Sequence, residues 1–282
     1  MISPDADAHI AFVEDILDAD ERHFLVADID ANFLRKQCET VHNTLYHPNV
    51  SVESFSFEAQ ENEKEFFNSY GAHKRHAISQ TNYGLELYYQ SDVFSDVHSD
   101  QGYSETDSSI DPVFIDKIHS YLMEKSEPKA PTITSGMHTI TLKNDVVISL
   151  LDILSDALTG ENIRQHTSFF SMDDIGKLVL DSKLTLRSNP VREHSPFNRL
   201  FDKEGVTSEQ LIIIEDGVIK NVFLDTKNAK KLHLPHTGNP EYSNLELVGE
   251  PDSGYLKNSK FLFTGLMAFH TVDTSSGKFA LE

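Results

Sequence analysis

The chain has 14 histidines, so metal binding is the first chemistry that its side chains suggest. Zinc needs three or four converging nitrogen, oxygen or sulfur ligands, and helix-borne sites supply two of them about one turn apart. His42 and His47 are five residues apart in HNTLYH, and Asn43 stands where a zinc peptidase has its glutamate base. An amide cannot take a proton from water. The sequence therefore favours exposed histidines at a helix end over a zinc site.

Three further groups of candidate ligands give equally weak signals. In HKRH, at 73–76, a lysine and an arginine lie between two histidines and would repel a dication. His233 and His236 flank Pro235 without a third ligand nearby. The largest set lies in DVFSDVHSD and comprises Asp92, Asp96, His98 and Asp100. This segment lacks the glycine and the terminal glutamate of a calcium loop, so we interpret it as a solvated loop.

Bulk composition excludes several classes of function. The 282-residue chain is 39% hydrophobic, enough for a core, and has 45 acidic against 24 basic residues, a net charge of −21. Such a charge repels phosphate backbones and anionic lipids, so we expect no direct nucleic-acid or membrane partner.

One cysteine, Cys38, excludes an internal disulfide. With no charged-then-apolar leader at Met1 and no apolar run long enough to cross a bilayer, this predicts a cytoplasmic protein.

The first part of the chain is predicted to combine helices and a sheet. The expected elements are helices at 3–18 and 33–45 and strands at 23–27, 50–57 and 83–90. Cys38 lies on the apolar stripe of the second helix, which predicts a buried structural thiol. Residues 91–111 turn to Ser, Asp, Gly and Glu, a composition typical of a long loop. We therefore predict a domain boundary there, dividing the chain into 1–110 and 111–282.

The second part is predicted to begin with helices and to continue as short strands. A helix starts at Asp111-Pro112, with Phe114, Ile115, Ile118 and Leu122 facing inward. A weak strand at 132–142 precedes an apolar helix at 146–158, which we expect to be the most buried helix of the chain. Asn144 or Asp145 is its expected cap, and Gly160 is expected to end it in the left-handed conformation. From about residue 168 the pattern is mostly β.

Residues 201–239 combine a hairpin, a short helix and a polar loop. Asp216-Gly217 supplies the positive φ angles of a tight turn between strands at 211–214 and 218–224. Asp225 can cap a helix at 226–232 that Pro235 then stops. The loop His236-Thr237-Gly238-Asn239 is predicted to be exposed.

The same stretch is part of a wider resemblance. FDKEGV, IIIEDGVIKNVFLDTKNAKKL and HTGN resemble the hallmark run of the TldD/PmbA family, also called modulators of DNA gyrase. Further pieces follow the family order: NSYG, VVISLLDILSDALTG, SFFSMDDIGKLVLDSKLTL and VDTSSGKFAL. Together they cover most of residues 65–281, and their combination in order is specific.

The resemblance implies an α+β fold, with a helix-and-sheet N-terminal part followed by a β-rich C-terminal domain. Residues 1–110 would be a partial N-terminal α/β domain and 111–282 a C-terminal domain truncated at its end, so a shortened member is expected. Members work as dimers on unfolded peptides, and proteolysis is the associated activity. Losing terminal strands would leave exposed sheet edges that a second chain could cover.

The resemblance also implies where a metal would be. In the TldD-type branch a buried helix carries a His-Glu-x-x-x-His motif, and the equivalent helix here is 146–158. Neither histidine nor glutamate occurs between Ser149 and Gly160, where the polar residues include Asp152 and Asp156. The chain is thus nearer the PmbA or TldE branch, which lacks the motif and pairs with a TldD-type subunit. We expect no cofactor in this chain and zinc in a TldD-like partner.

The resulting functional hypothesis is a non-catalytic subunit of a metallopeptidase complex, in a heterodimer or a homodimer. Its expected peptide- or partner-contact residues are Asp202, Glu204, His236, Gly238 and Asn239, although the same residues could simply shape turns. One alternative is a self-contained metal-dependent peptidase with scattered ligands such as His194, His233 and His236. Another is a regulatory binding protein without activity.

Overall fold

The computed structural model describes residues 17–20, 22–92, 95–104, 109–125, 134–193, 195–249, 261–263, 273 and 275–276. These residues form a mixed α+β fold, as the sequence predicts. The helix expected at 3–18 lies outside the described residues except for its last two positions, which belong to strand β1, Leu17–Asp20. No helix among the described residues is long and apolar enough to span a membrane.

The first sheet is centred on one long strand. β3, His73–Gln90, pairs antiparallel with β2, Val50–Phe67, along almost its whole length. On its other side β3 pairs in parallel with β1 and, further along, antiparallel with β4, Ser95–Ser104. Both strands predicted at 50–57 and 83–90 are therefore confirmed, and each is longer than predicted.

Two helices cover this sheet and complete the first core. Tyr83, Leu85, Leu87 and Tyr89 alternate along β3 and are all buried, as the period of two predicts. Against them pack α1, Ala31–Thr44, and α2, Pro112–Lys125. The inward face of α2 consists, as predicted, of Phe114, Ile118 and Leu122, with Ile115 partly buried. The proposed division at residue 110 stays a prediction.

Three predictions for this part are wrong. Residues 23–27 form no strand, and Val26–Asp28 is instead a 3₁₀ turn. Cys38 is exposed, because α1 buries Gln37 and Val41, and the next residue lies about 100° around the helix. The loop predicted at 91–111 contains β4. Its polar side chains are used for pairing with α2, since Asp96 accepts a hydrogen bond from the Tyr121 hydroxyl at 3.0 Å.

The second part packs helices on a second sheet. Its strand order is β8-β7-β6-β9, with β6 Leu184–Ser188, β7 Leu211–Glu215, β8 Val218–Ile219 and β9 Leu245–Gly249. The helices are α3, Asn144–Ala157, α4, Gly160–Gln165, and α5, Thr226–Leu232. A separate parallel pair joins β5, Ile140–Leu142, to β10, Phe261–Phe263. The predicted strand at 132–142 thus exists over its last three residues, and residues 132–133 lie outside the description.

The predicted turn and the helix that follows the hairpin are confirmed, but the second strand is shorter than the predicted 218–224, since β8 ends at Ile219. Asp216 and Gly217 have φ angles of 50° and 76°, and they join β7 to β8. A Cβ at position 217 would collide with the Leu180 carbonyl, so glycine is required for space as well as for conformation. Asp225 caps α5 by accepting the Asn228 backbone N–H at 2.7 Å.

Helix α3 differs from its prediction in three respects. Its first residue is Asn144, and the preceding Lys143 makes no side-chain cap. Gly160 is not left-handed but begins α4, where a Cβ would collide with the Leu224 side chain. The helix is also not the most buried one, since three of its 14 residues are buried, against three of the seven residues of α5. Its Ile148 is 56% exposed. One side of α3 therefore faces a cleft instead of the core.

Candidate functional site

Two of the predicted contact residues build a tight turn. Asp202 is buried, and its Oδ1 accepts the backbone N–H groups of Glu204 at 2.8 Å and Val206 at 2.9 Å. Glu204 Oε2 accepts the Thr226 N–H at 2.9 Å, which satisfies a free amide at the start of α5. Both carboxylates thus hold the 202–206 turn against α5.

The predicted loop at 236–239 is only partly exposed. Asn239 is fully buried, and its Nδ2 donates to the Glu209 carbonyl at 2.8 Å. Gly238 is also buried, has a φ of 64°, and accepts a hydrogen bond from the Ser208 hydroxyl at 2.9 Å. The expectation of an exposed loop is wrong for these two residues, because the chain there bridges to Leu224. His236 is exposed, and a contact role for the set stays a prediction.

A cleft of about 1010 Å³ lies between the first sheet and α3. α3 contributes Asp145, Ile148, Ser149 and Asp152 to its wall. Lys117 of α2 bridges the cleft, with Nζ 3.0 Å from Asp100 Oδ1 and 2.9 Å from Asp145 Oδ2. The ammonium group therefore links β4 to α3.

The electrostatics of the cleft follow from this bridge. Burial raises the pKa of Asp100, but the interactions with His98 and Lys117 outweigh it, and the pKa lies below its ordinary value. Burial lowers the pKa of Lys117, but the bonds to Asp145 and Asp100 outweigh burial, and the net shift is upward. Burial also raises the pKa of Asp152, against the effect of its hydrogen bond with Tyr242. Lys117 thus stays charged, and its single positive charge lies between the two carboxylates it contacts and offsets them in part.

The donors of α3 do not fit zinc. Asp152 and Asp156 are one turn apart without an imidazole on the helix, and Asp152 is already bonded to Tyr242. Among the described residues no group of three or more His, Cys, Asp and Glu side chains converges as a metal site would. His194 lies outside the described residues. The expectation that zinc belongs to a partner is not tested by this arrangement.

The other candidate ligands have structural contacts. His73 Nε2 lies 2.7 Å from Glu65 Oε1 on the surface of the β2–β3 hairpin. The His98 ring stacks on Tyr121 with ring centroids 3.8 Å apart. His233 is the left-handed residue that ends α5.

The sequence interpretation missed the residues that combine charge with burial. Lys117 was assigned only to a helix, and Arg199 was not singled out. Arg199 lies two residues before FDKEGV, and burial lowers the pKa of its guanidinium, opposed by the charges of Glu241 and Asp202. No spacing rule identifies either residue, because their contacts join distant segments. The only local signal was the position of Arg199 beside a hallmark motif.

Comparisons with known proteins agree with this architecture. A protein-family model, described as the PmbA/TldA metallopeptidase C-terminal domain, matches residues 135–282 of the sequence. A structure described as a modulator of a DNA gyrase from Thermotoga maritima superimposes with a TM-score of 0.85 at 17% identity, covering 99% of this chain and 67% of that one. TldE from Thermococcus kodakarensis superimposes with a TM-score of 0.73 at 18% identity, covering 94% and 64%. At these identities the two structures establish the fold.

The class defined by this fold is that of mixed helix-and-sheet proteins. Metalloprotease PmbA of Escherichia coli O157:H7 is 32% identical over 113 residues, which cover 40% of this chain and 23% of that protein. Because the family model spans just over half of the chain, the chain belongs to the PmbA/TldD family. It matches less than half the length of the curated relatives.

Proposed function

We propose that this chain is a non-catalytic, TldE-like subunit that pairs with a TldD-type subunit carrying the His-Glu-x-x-x-His helix. The observation that carries the proposal is the composition of α3 where it borders the cleft. It presents Asp145, Ser149 and Asp152 there, and none of these is an imidazole. Carboxylates alone are poor competitors for zinc against a site that contains histidines.

The charge balance of the cleft supports the same proposal. A divalent ion would have to displace Lys117, whose ammonium lies within 3.0 Å of carboxylates on both walls. The fixed positive charge of Lys117 occupies the place between Asp100 and Asp145 that a bridging metal would need, and it would repel that metal. In this proposal the cleft contributes the shape of the binding site and a contact surface between the subunits, and the partner contributes the reactive metal.

We propose unfolded peptides as the substrate of the complex. The cleft is at the upper end of the volumes of about 300–1,000 Å³ that are usual for ligand sites. β2 is 18 residues long, and among the described residues it pairs only with β3. A free strand edge can bind an extended chain through backbone hydrogen bonds, which tolerate any sequence. The complex is proposed to be cytoplasmic, since the single Cys38 suits a reducing compartment.

The test is to produce the chain alone and together with a TldD-type subunit. We expect the two to copurify, and we expect zinc, measured by mass spectrometry, to follow the partner. Cleavage of an unfolded casein substrate should require the partner and should disappear when the partner's motif glutamate is changed to glutamine. The matched variant of this chain, His194→Gln with His233→Gln and His236→Gln, should leave the zinc content of both preparations unchanged.

Two results would overturn the proposal. The first is stoichiometric zinc in the chain purified alone, together with peptidase activity that the triple histidine variant abolishes. That result would make the chain a self-contained peptidase. The second is failure to associate with any TldD-type subunit, which would leave a separate binding protein.

A further inference from the structure

A second cavity, of about 590 Å³, lies between the first sheet and loops of the second part. The register of the β2–β3 pair places Lys64 opposite His76 and Asn62 opposite Ile78. Residues two positions apart on a strand, and the residues paired with them, lie on the same face of the sheet. Both of these pairs therefore border the cavity. The facing wall comes from loops at 196–199 and 242–244.

Hydrogen bonds fix this loop wall in place. Asn198 Oδ1 accepts the Arg192 N–H at 2.9 Å and the Asn244 Nδ2 donor at 3.0 Å. Asn244 Oδ1 accepts from the Ser195 hydroxyl at 2.5 Å. Ser243 Oγ donates to the Phe197 carbonyl. A wall with its polar groups bonded in this way is organised before a ligand arrives, which lowers the cost of binding.

Arg199 is a buried cation on this wall with incomplete compensation. Its side chain is 14% exposed, and its Nε has no hydrogen-bond acceptor among the described residues. Nη2 donates to the Glu241 carbonyl, and Nη1 lies 3.7 Å from the Glu241 carboxylate, whose side chain is 72% exposed. A buried guanidinium with a single loose counter-charge is costly, and an anionic ligand would offset that cost.

The nearby acids compensate this charge only weakly. Asp202 acts on Arg199 electrostatically, but its Oδ1 is bonded to the backbone N–H groups of Glu204 and Val206. Glu63 borders the cavity and is bonded to Arg75 at 2.5 Å. Lys64 adds a second cation on the opposite wall. The cavity is therefore a basic site in a chain with a net charge of −21.

The shape of the site favours an elongated ligand. A neighbouring cavity of about 320 Å³ is also bordered by Lys64 and Arg199, so the two together follow residues 62–66 of β2. The other charged residues of the smaller cavity are Lys203, Glu65, Asp202 and Glu241, so the positive charge is concentrated where the two cavities meet, at Lys64 and Arg199. Phe66 and Phe201 line the smaller cavity, with ring centroids 6.5 Å apart. A simple anion such as phosphate would fill little of this length. A peptide that ends in a carboxylate has both the extent and the charge.

We propose that this groove binds the C-terminal carboxylate of an extended peptide, between the Lys64 ammonium and the Arg199 guanidinium. The peptide residues before the terminus would lie along β2, with Phe197 and Tyr242 as apolar contacts. This inference deepens the proposed function and rests on its peptide-handling role. It gives the subunit a task of its own, which is to recognise the free end of a substrate.

The test measures fluorescence anisotropy with the purified chain at one fixed salt concentration. The probe is a short unstructured alanine–serine peptide labelled at its N-terminus, with either a free C-terminal carboxylate or a C-terminal amide. We expect the free acid to bind about tenfold more tightly, as the loss of a charge-assisted hydrogen bond implies. Lys64→Gln should reduce this preference severalfold, and Arg199→Lys should reduce it further. Lys36→Gln, an exposed change on α1, should have no effect.

Several outcomes would overturn the inference. Equal binding of the acid and amide peptides would show that the terminus is not recognised. Equal binding of an amidated peptide with an internal glutamate would show that any carboxylate suffices. Efficient competition by inorganic phosphate would point to a general anion site. Lys64 is exposed, so Lys64→Gln is expected to fold even if Arg199→Lys does not. If Lys64→Gln kept the full preference for the free-acid peptide over the amide, that result would also contradict the proposal. None of these results depends on a partner subunit, so they are separable from the copurification test.

Discussion

At the scale of single residues, Asp202 is both a structural part of its turn and electrostatically costly. One carboxylate oxygen accepts two backbone N–H groups, while Oδ2 is buried without a hydrogen-bond partner among the described residues. Burial raises the pKa of Asp202 against these two bonds. The turn therefore needs the acceptor, and the negative charge opposes folding.

Replacing Asp202 separates the two effects. Asp202→Ala should lower the free energy of unfolding by about 1–3 kcal/mol, because two buried N–H groups lose their acceptor. Asp202→Asn keeps an acceptor oxygen and should lose less. Urea unfolding at pH 7 measures both, and Asp181→Ala, in an exposed turn with one such bond, is the control and should lose less than Asp202→Ala.

The pH dependence of the same variants gives the sign of the charge effect. Because the folded pKa is raised, the contribution of Asp202 is most favourable below the ordinary value of about 3.9 and is lost as the pH rises through the folded pKa. Asp202→Asn should lack this loss. The raised pKa of Asp202 would be contradicted if, as the pH rises above about 3.9, the stability of the unsubstituted protein increased more steeply than that of Asp202→Asn.

At the scale of secondary-structure elements, Lys117 joins β4, α2 and α3 through a single ammonium group. Asp100 lies on β4 with its side chain 9% exposed, and Asp145 lies in the first turn of α3. α3 exposes Ile148 and packs only part of its surface in the second core, so this contact adds an attachment of its first turn to β4. The cleft should therefore widen when the contact is removed.

Lys117→Met tests this attachment. The aliphatic stem is retained, but Asp100 loses its counter-charge, so we expect the free energy of unfolding at pH 7 to fall by about 1–2 kcal/mol, discounted for partial exposure. Hydrogen exchange should become faster in α3. The pKa of Asp100 is lowered in the folded protein, so the stability that its ion pair provides is present above the ordinary pKa and is lost as the pH falls through the folded pKa. The difference in stability between the unsubstituted protein and Lys117→Met should therefore vanish in acid.

The matched control is Lys177→Met. Lys177 pairs with Asp174 at 2.9 Å, but its side chain is 61% exposed, and we expect little change. Equal effects of the two substitutions, or unchanged exchange in α3, would show that Lys117 does not hold the helix.

Elements with a strong hydrophobic period could be predicted from the sequence, and elements held by polar contacts could not. The alternation along β3 and the inward stripe of α2 gave correct assignments, as did the Asp216-Gly217 turn. β4 was missed because its Asp96, His98 and Asp100 contact Tyr121 and Lys117, which are distant in sequence. Local composition carries no information about such partners.

The candidate site was predictable to a similar extent. The absence of an imidazole on α3 can be read directly from its sequence. The grouping of Lys64, His76 and Arg199 around one cavity could not be found in this way, because it depends on the β2–β3 register and on a loop more than 100 residues further along. The chemistry of single elements is visible in sequence, while sites between elements need the fold.

At the scale of the whole molecule, the net charge of −21 opposes folding. Like charges are closer together in the compact state than in the unfolded chain, so the folded state carries more repulsion. Local ion pairs act in the opposite direction. Several of them, such as Arg75–Glu63 and Lys220–Glu215, are more than a third exposed, and such pairs contribute little.

Added salt should therefore stabilise the protein. Between 0.1 M and 1 M sodium chloride the screening length falls from about 10 Å to about 3 Å, which weakens long-range repulsion more than contacts between adjacent charges. We expect the midpoint of thermal unfolding to rise by about 2–4 °C for each kcal/mol gained. Potassium chloride should act equally. Glu39→Gln with Glu58→Gln removes two exposed charges and should reduce the rise. A midpoint that falls with salt would mean that ion pairs, such as those of Lys117, outweigh the net repulsion.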